Sequence, residues 1–140
     1  MSRGLICVVA AGALAFAGCG TARRGDVAEI KRVVADYRHA VADGDGARAC
    51  ALMTREGQAN EVRLGREYGV RECRDLAVVI SALADKEDLD ELRALRLVRV
   101  KVDGDRAVGR LEGFHRLQRS GPTYLRRVHG NWLIDAPRTR

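Results

Sequence analysis

The spacing of apolar residues changes once along the 140-residue chain, and this change limits the possible folds most strongly. Across residues 27–41, apolar side chains recur every three or four positions, which is typical of an amphipathic helix. Across residues 98–102, valines alternate with basic residues, which is typical of a half-buried strand. Helices followed by antiparallel strands predict an α+β domain whose N-terminal helices pack on a C-terminal antiparallel sheet of about four strands.

The first helix is predicted from an apolar stripe and a cap. Asp26 stands at the position of the cap, and Glu29 completes a capping box three residues later. The Asp-Gly-Asp-Gly run of residues 43–46 ends this helix, and Asp45 is expected to cap a second helix over about residues 47–53. The apolar stripe of the first helix consists of Val27, Ile30, Val34, Tyr37 and Val41.

Further along the helical half, the pattern weakens and then returns. Residues 54–70 contain three glycines and no clear period, so no element is assigned to them. Another helix is predicted over about residues 71–84, before the acidic run of residues 85–91. The apolar face of this helix consists of Cys73, Leu76, Ala77, Ile80 and Leu83.

Turn residues separate the four predicted strands. The Asp-Gly-Asp run of residues 103–105 predicts a hairpin turn between the first strand and a second strand over residues 107–117. Turns at residues 120–122 and 129–131 then delimit a third strand over residues 124–128. The fourth predicted strand covers residues 132–135, and Pro137 ends the domain.

The N-terminal segment has the pattern of an export signal. Residues 5–16 carry no charge, but the run is shorter than the roughly 20 apolar residues that span a bilayer. Its length is that of a signal-peptide core. Residues 15–17 (Ala-Phe-Ala) fit a cleavage site that would release a secreted protein. Residues 16–19 (Phe-Ala-Gly-Cys) resemble the lipobox of bacterial lipoproteins, with Phe16 where Leu is usual.

The lipobox resemblance implies that Cys19 is lipidated and that the protein is held at the outer face of the bacterial cytoplasmic membrane. The chain would then consist of a signal peptide (1–18), a lipidated cysteine with its tether (19–25), a domain (26–137) and a tail (138–140). Cysteine parity favours this arrangement over secretion without a lipid. With Cys7 cleaved off and Cys19 lipidated, an even number of thiols remains.

The two remaining cysteines are Cys50 and Cys73, which lie on two predicted helices. An exported protein meets an oxidising environment, in which such a pair forms a disulfide. Two buried thiols are the alternative. The sequence contains no Cys-x-x-Cys motif and no Cys/His cluster that would indicate a metal site. We therefore expect neither a metal nor a cofactor.

Charge is distributed unevenly along the chain. The net charge is +6 overall, with −3 over residues 19–92 and +8 over residues 93–140. Arginines of the predicted sheet are candidates for a basic face that binds an anionic envelope component. Solvated charges on an outer face are the alternative. The candidate arginines are Arg99, Arg110, Arg126 and Arg127.

Export and the few aromatic residues argue against nucleic acid as a partner.

Several motifs together resemble a family. They are Tyr37-x-x-Ala40-x-x-Asp43-Gly44-Asp45, Ala49-Cys50-x-Leu52-Met53-Thr54, Cys73, and Gly130-x-Trp132-x-Ile134-Asp135. In this order they resemble small bacterial lipoproteins that carry a nuclear-transport-factor-2-like domain, the cystatin-like cone of the SnoaL-like superfamily. The resemblance covers residues 27 to about 137. It implies a curved sheet wrapped around helices and enclosing a pocket, but no particular activity.

The resemblance also implies pocket residues. The pocket candidates are Tyr37, His115, Tyr124 and Trp132. His115 shares strand parity with Leu111 and is a candidate for a general base, with Tyr37 as a hydrogen-bond donor. The expected function is non-catalytic binding of a small apolar ligand or an envelope partner by a membrane-anchored lipoprotein. The alternatives are an isomerase or cyclase that uses the pocket, and an accessory module that docks its basic sheet on an anionic surface. The sequence leaves the oligomeric state open.

Overall fold

A computed structural model describes residues 24–113 and 121–137 of the chain. The helices of this part are α1 Arg24–Ala42, α2 Gly46–Ala51, α3 Arg55–Gly65, α4 Cys73–Leu83 and α5 Lys86–Ala94, and a 3₁₀ turn covers Arg66–Tyr68. The strands are β1 Arg96–Asp103, β2 Arg106–Glu112, β3 Pro122–Val128 and β4 Asn131–Asp135. Helices precede an antiparallel sheet, as predicted.

Several predicted features lie outside the described residues. They are the signal peptide, Cys19, the 114–117 end of the second strand, Ser120 of the next turn and the tail 138–140. Within the described residues, no helix has the length and hydropathy that crossing a bilayer requires.

The sheet is a meander in the order β1-β2-β3-β4, and α1 packs across its inner face. The strand registers bring Ala107, Leu125 and Ile134 side by side on that face. Ile30 and Val34 of α1 pack against them, so the predicted apolar stripe covers the sheet. Burial of these side chains supplies the main driving force for joining the two halves of the chain.

A bulge in β1 interrupts the predicted alternation of inward and outward side chains. The β1–β2 register shifts between Val98 and Lys101, and Arg99 has a φ of 51°. The extra residue moves the inward face by one position, so Leu97 rather than Val98 joins Val100 in the core. A bulge of this kind cannot be deduced from a strict period of two.

The caps of the first two helices follow the predictions only in part. Asp26 is not the cap of α1, because it lies inside the first helical turn and pairs with Arg127 of β3. Asp45 does cap α2, and its Oδ1 accepts a hydrogen bond from the backbone N–H of Arg48 at 3.0 Å.

Two helices occupy stretches to which the sequence assigned no element. Helix α3 and the 3₁₀ turn fill most of residues 54–70. Helix α5 starts inside the acidic run, where Asp85 accepts a hydrogen bond from the Asp88 N–H at 2.8 Å. Acidic residues near a helix N-terminus are favoured by the helix dipole, which explains a helix in so charged a stretch.

The predicted helix over residues 71–84 is α4, with one error on its apolar face. Ala77 is buried, but the Leu83 side chain is 74% exposed. The inner side of α4 packs on α1, α2 and α3, and Leu83 lies away from these contacts.

A disulfide joins Cys50 of α2 to Cys73 at the start of α4, with their Cα atoms 6.0 Å apart. The two helices approach closely because Gly46 has no side chain. A Cβ at that position would stand 2.1 Å from the carbonyl oxygen of Arg74. The predicted pairing of the two cysteines is confirmed.

Reduction of this disulfide should lower the free energy of unfolding by about 3 kcal/mol, because the bond closes a loop of roughly 24 residues in the unfolded chain. Urea unfolding with and without dithiothreitol measures the difference. The Cys50→Ser/Cys73→Ser double variant is the control and should not respond to dithiothreitol. Equal stability of the wild-type protein in both conditions would contradict the prediction.

Thr54 connects the helical half to the last strand. Its N–H donates to the carbonyl of Ile134 at 2.8 Å, and the Ile134 N–H donates to the carbonyl of Leu52 at 2.9 Å. The Thr54 hydroxyl donates to Asp135 Oδ1 at 2.5 Å and accepts from the Gly57 N–H at 3.0 Å, which caps α3. One buried residue therefore fixes where α3 begins and how it meets the sheet.

Replacement of Thr54 by alanine should lower the free energy of unfolding by about 1–3 kcal/mol, because a helix cap and a buried hydrogen bond are both lost. Thr54→Ser keeps the hydroxyl and should stay near wild type. Urea unfolding of the two variants measures the difference. Equal losses in both would show that the Thr54 methyl group, rather than the hydroxyl, stabilises this junction.

Candidate functional site

A cavity of about 220 Å³ lies beside α1 at the end of the sheet where β2 and β4 end and β3 begins. We call it the α1 cavity. Its lining is mostly apolar and includes a few polar side chains, which is the usual composition of a small-molecule site. The lining residues are Val34, Tyr37, Arg38, Glu61, Leu92, Leu111, Pro122, Thr123, Tyr124, Ile134, Asp135 and Pro137.

Arg38 is the most unusual residue of the lining, because only 5% of its surface is exposed. Its Nε donates to the carbonyl of Val34 one helical turn earlier, at 3.2 Å. Its Nη1 is buried and has no hydrogen-bond partner among the described residues. Burial lowers the pKa of Arg38, but an arginine side chain stays protonated in proteins. The cavity wall therefore carries a buried positive charge.

Glu61 of α3 and Tyr37 of α1 supply two further polar groups. Burial raises the pKa of the Glu61 carboxyl above its ordinary value. Burial also raises the pKa of Tyr37, and the charge of Glu61 raises it further. The Tyr37 hydroxyl consequently keeps its proton and can donate a hydrogen bond into the cavity.

Asp135 lines the same cavity, but both of its carboxylate oxygens already contact other side chains. It accepts a hydrogen bond from the Thr54 hydroxyl at 2.5 Å, and Arg126 Nε lies 3.5 Å from its Oδ2. Arg126 also pairs with Glu56 of α3 at 2.5 Å. Asp135 therefore serves the junction between α3 and the sheet.

The structure places only some of the predicted pocket residues in the α1 cavity. Tyr37 and Tyr124 line the α1 cavity. Trp132 does not, because it is 1% exposed and packs inside the core, with the Arg127 guanidinium 4.7 Å from its ring centroid. Trp132 is therefore corrected from a pocket residue to a core residue. His115 lies outside the described residues.

Arg38 and Glu61 were missed by the sequence analysis. Arg38 lies four positions after Val34 and therefore next to it on the surface of the helix, beside the apolar stripe. A charged residue at that position could have marked Arg38 as a candidate site residue. Glu61 lies in the segment without a period, where no signal marked it. Its place in the cavity depends on how α3 packs.

The four candidate basic residues do not form one face. Arg110 and Arg126 lie on the outer side of the sheet, and Arg126 is neutralised by its two carboxylate partners. Arg127 lies on the inner side beside Trp132 and pairs with Asp26. Arg99 sits in the β1 bulge, 3.8 Å from Glu112. This arrangement corrects the expectation of a continuous basic surface.

Two other concave regions differ chemically from the α1 cavity. A hollow of about 560 Å³ near the outer side of the sheet carries charges of both signs, including Lys101, Asp103 and Arg106. An apolar groove of about 410 Å³ between α3 and α4 includes Leu64, Tyr68 and Leu83. Neither is lined by a residue with a buried polar atom that lacks a hydrogen-bond partner, whereas the α1 cavity is lined by Arg38, whose Nη1 is such an atom.

Among the described residues, no group of three or more His, Cys, Asp or Glu side chains is placed to hold a metal ion. Comparison with known proteins finds no family model, no curated protein and no solved structure that matches this chain.

Proposed function

We propose that this protein is a lipid-anchored extracytoplasmic lipoprotein of the nuclear-transport-factor-2-like type, whose domain binds a small ligand in the α1 cavity. The observation that carries the binding function is the convergence of Tyr37, Arg38 and Glu61 on one largely apolar cavity. The anchor is proposed from the sequence of residues 5–19.

The distance between anchor and domain supports a position at the membrane surface. Four residues lie between Cys19 and Arg24, where α1 begins, so five Cα–Cα steps join the two. A chain of that length spans at most about 17 Å. A lipid on Cys19 would therefore hold the domain close to the headgroups.

The size of the α1 cavity limits the ligand. At about 220 Å³ it is smaller than the roughly 300–1,000 Å³ of pockets that hold drug-sized molecules. A compound of about one ring with a polar substituent matches this volume. The apolar lining residues Val34, Leu92 and Leu111 would contact the ring, and the polar residues would orient the substituent.

The same residues support a second candidate, an isomerase or cyclase. A half-buried carboxyl with a raised pKa, as in Glu61, is suited to general acid–base catalysis. The two candidates differ in the fate of the ligand. A binding protein releases it unchanged, whereas an isomerase or cyclase releases a product of equal mass that chromatography separates.

The anchor is tested by replacement of Cys19 with alanine. The wild-type protein, expressed in a bacterium with lipoprotein processing, should sediment with membranes, and Cys19→Ala should shift to the soluble fraction or remain uncleaved. Fractionation with immunoblotting and mass spectrometry of the mature N-terminus distinguish these forms. Cys7→Ala is the control and should behave as wild type. Unchanged lipid modification in Cys19→Ala would contradict the proposal.

The binding function is tested with benzoate, benzamide and benzamidine, three probes of similar shape and different charge. At least one should shift the NMR signals of residues that line the α1 cavity, because each fits its volume. Thr123→Trp places a large side chain in the cavity and should abolish these shifts, whereas Thr123→Ser leaves it open. No shift with any probe, or shifts that persist in Thr123→Trp, would contradict binding in this cavity.

A further inference from the structure

We propose that the α1 cavity selects ligands that carry a carboxylate, which the guanidinium of Arg38 binds. This inference rests on the proposed ligand-binding function. It goes further by naming the chemical group that the cavity recognises and the residue responsible.

The unsatisfied charge of Arg38 is the first observation that carries the inference. A buried charge without a partner is costly, and proteins usually pair it. Arg38 lines the cavity, makes one hydrogen bond within its own helix through Nε, and has a fully buried Nη1 without a partner. A planar carboxylate matches the two-nitrogen end of a guanidinium better than any neutral group does.

The neighbouring groups favour an anion as well. The Tyr37 hydroxyl keeps its proton and can donate to a carboxylate oxygen. Asp135 would repel an anion, but the hydrogen bond from Thr54 and the nearby Arg126 guanidinium weaken this repulsion. The other carboxyl of the lining is that of Glu61.

Glu61 makes the binding depend on pH. Its pKa is raised by burial, so its proton is lost at a higher pH than that of an exposed glutamate. A protonated Glu61 donates a hydrogen bond to the ligand, and an ionised Glu61 repels it. Carboxylate affinity should therefore fall as the pH rises through the pKa of Glu61. The other titratable or charged groups of the lining are Tyr37, Arg38, Tyr124 and Asp135.

The experiment compares the three probes by NMR titration of the full chain in detergent micelles. At pH 6, benzoate should bind at least tenfold more tightly than benzamide, and benzamidine should bind more weakly than either. In Arg38→Met, the affinity for benzoate should fall to that for benzamide. Arg32→Met removes an exposed arginine from the same helix and should leave all three affinities unchanged.

Two further variants keep the test decisive if Arg38→Met does not fold. Arg38→Lys keeps the charge but lacks the planar pair of nitrogens, and should lower benzoate affinity severalfold. Glu61→Gln keeps a hydrogen-bond donor without a titrating proton, so it should bind benzoate with an affinity that no longer depends on pH.

The possible failures are distinguishable. Equal affinities for the three probes, all abolished by Thr123→Trp, would overturn the carboxylate preference and leave the ligand-binding function in place. Benzoate binding that is unchanged in both Arg38 variants would overturn the role of Arg38. Absence of binding by every probe would overturn the ligand-binding function itself.

Discussion

The junction of Thr54 with Ile134 and Asp135 is the interaction on which the rest of the structure depends. The helices and the strands are separate halves of the sequence, and this backbone pairing joins α3 to β4. The capping of α3 by the Thr54 hydroxyl then sets the direction of that helix. Since Glu61 lies on α3 and Arg38 lies on α1, the junction also determines that the two side chains line one cavity.

The disulfide and the ion pairs also hold the helices around the α1 cavity in place. The bond from Cys50 to Cys73 holds α4 against α2, and α3 packs on α4. Arg127 pairs with Asp26 across the inner side of the sheet and fixes the start of α1. At the other end of α1, Arg93 of α5 contacts Asp43 at 2.8 Å. The helix that carries Tyr37 and Arg38 is therefore held at both ends.

The sequence predicts the features that depend on local pattern. The stripe of Ile30 and Val34, the Asp45 cap and the final strand all follow from periodicity and turn chemistry, and all are present. The missed features depend on contacts between distant residues. The bulge at Arg99 changes which valines face inward, and α3 owes its position to Thr54. Trp132 belongs to the core because Arg127 and α1 cover it, which its place in a family-like motif does not reveal.

The position of Arg38 is explained better by recognition than by folding. An apolar residue four positions after Val34 would extend the stripe of α1 and avoid the cost of an unpaired buried charge. The fold gains one hydrogen bond within the helix from Arg38, and such a bond contributes only about 1 kcal/mol. An unpaired buried polar group in a native structure calls for an explanation, and a ligand that completes it is one. The residue with the unpaired buried nitrogen thus lines the cavity for which we propose a small ligand.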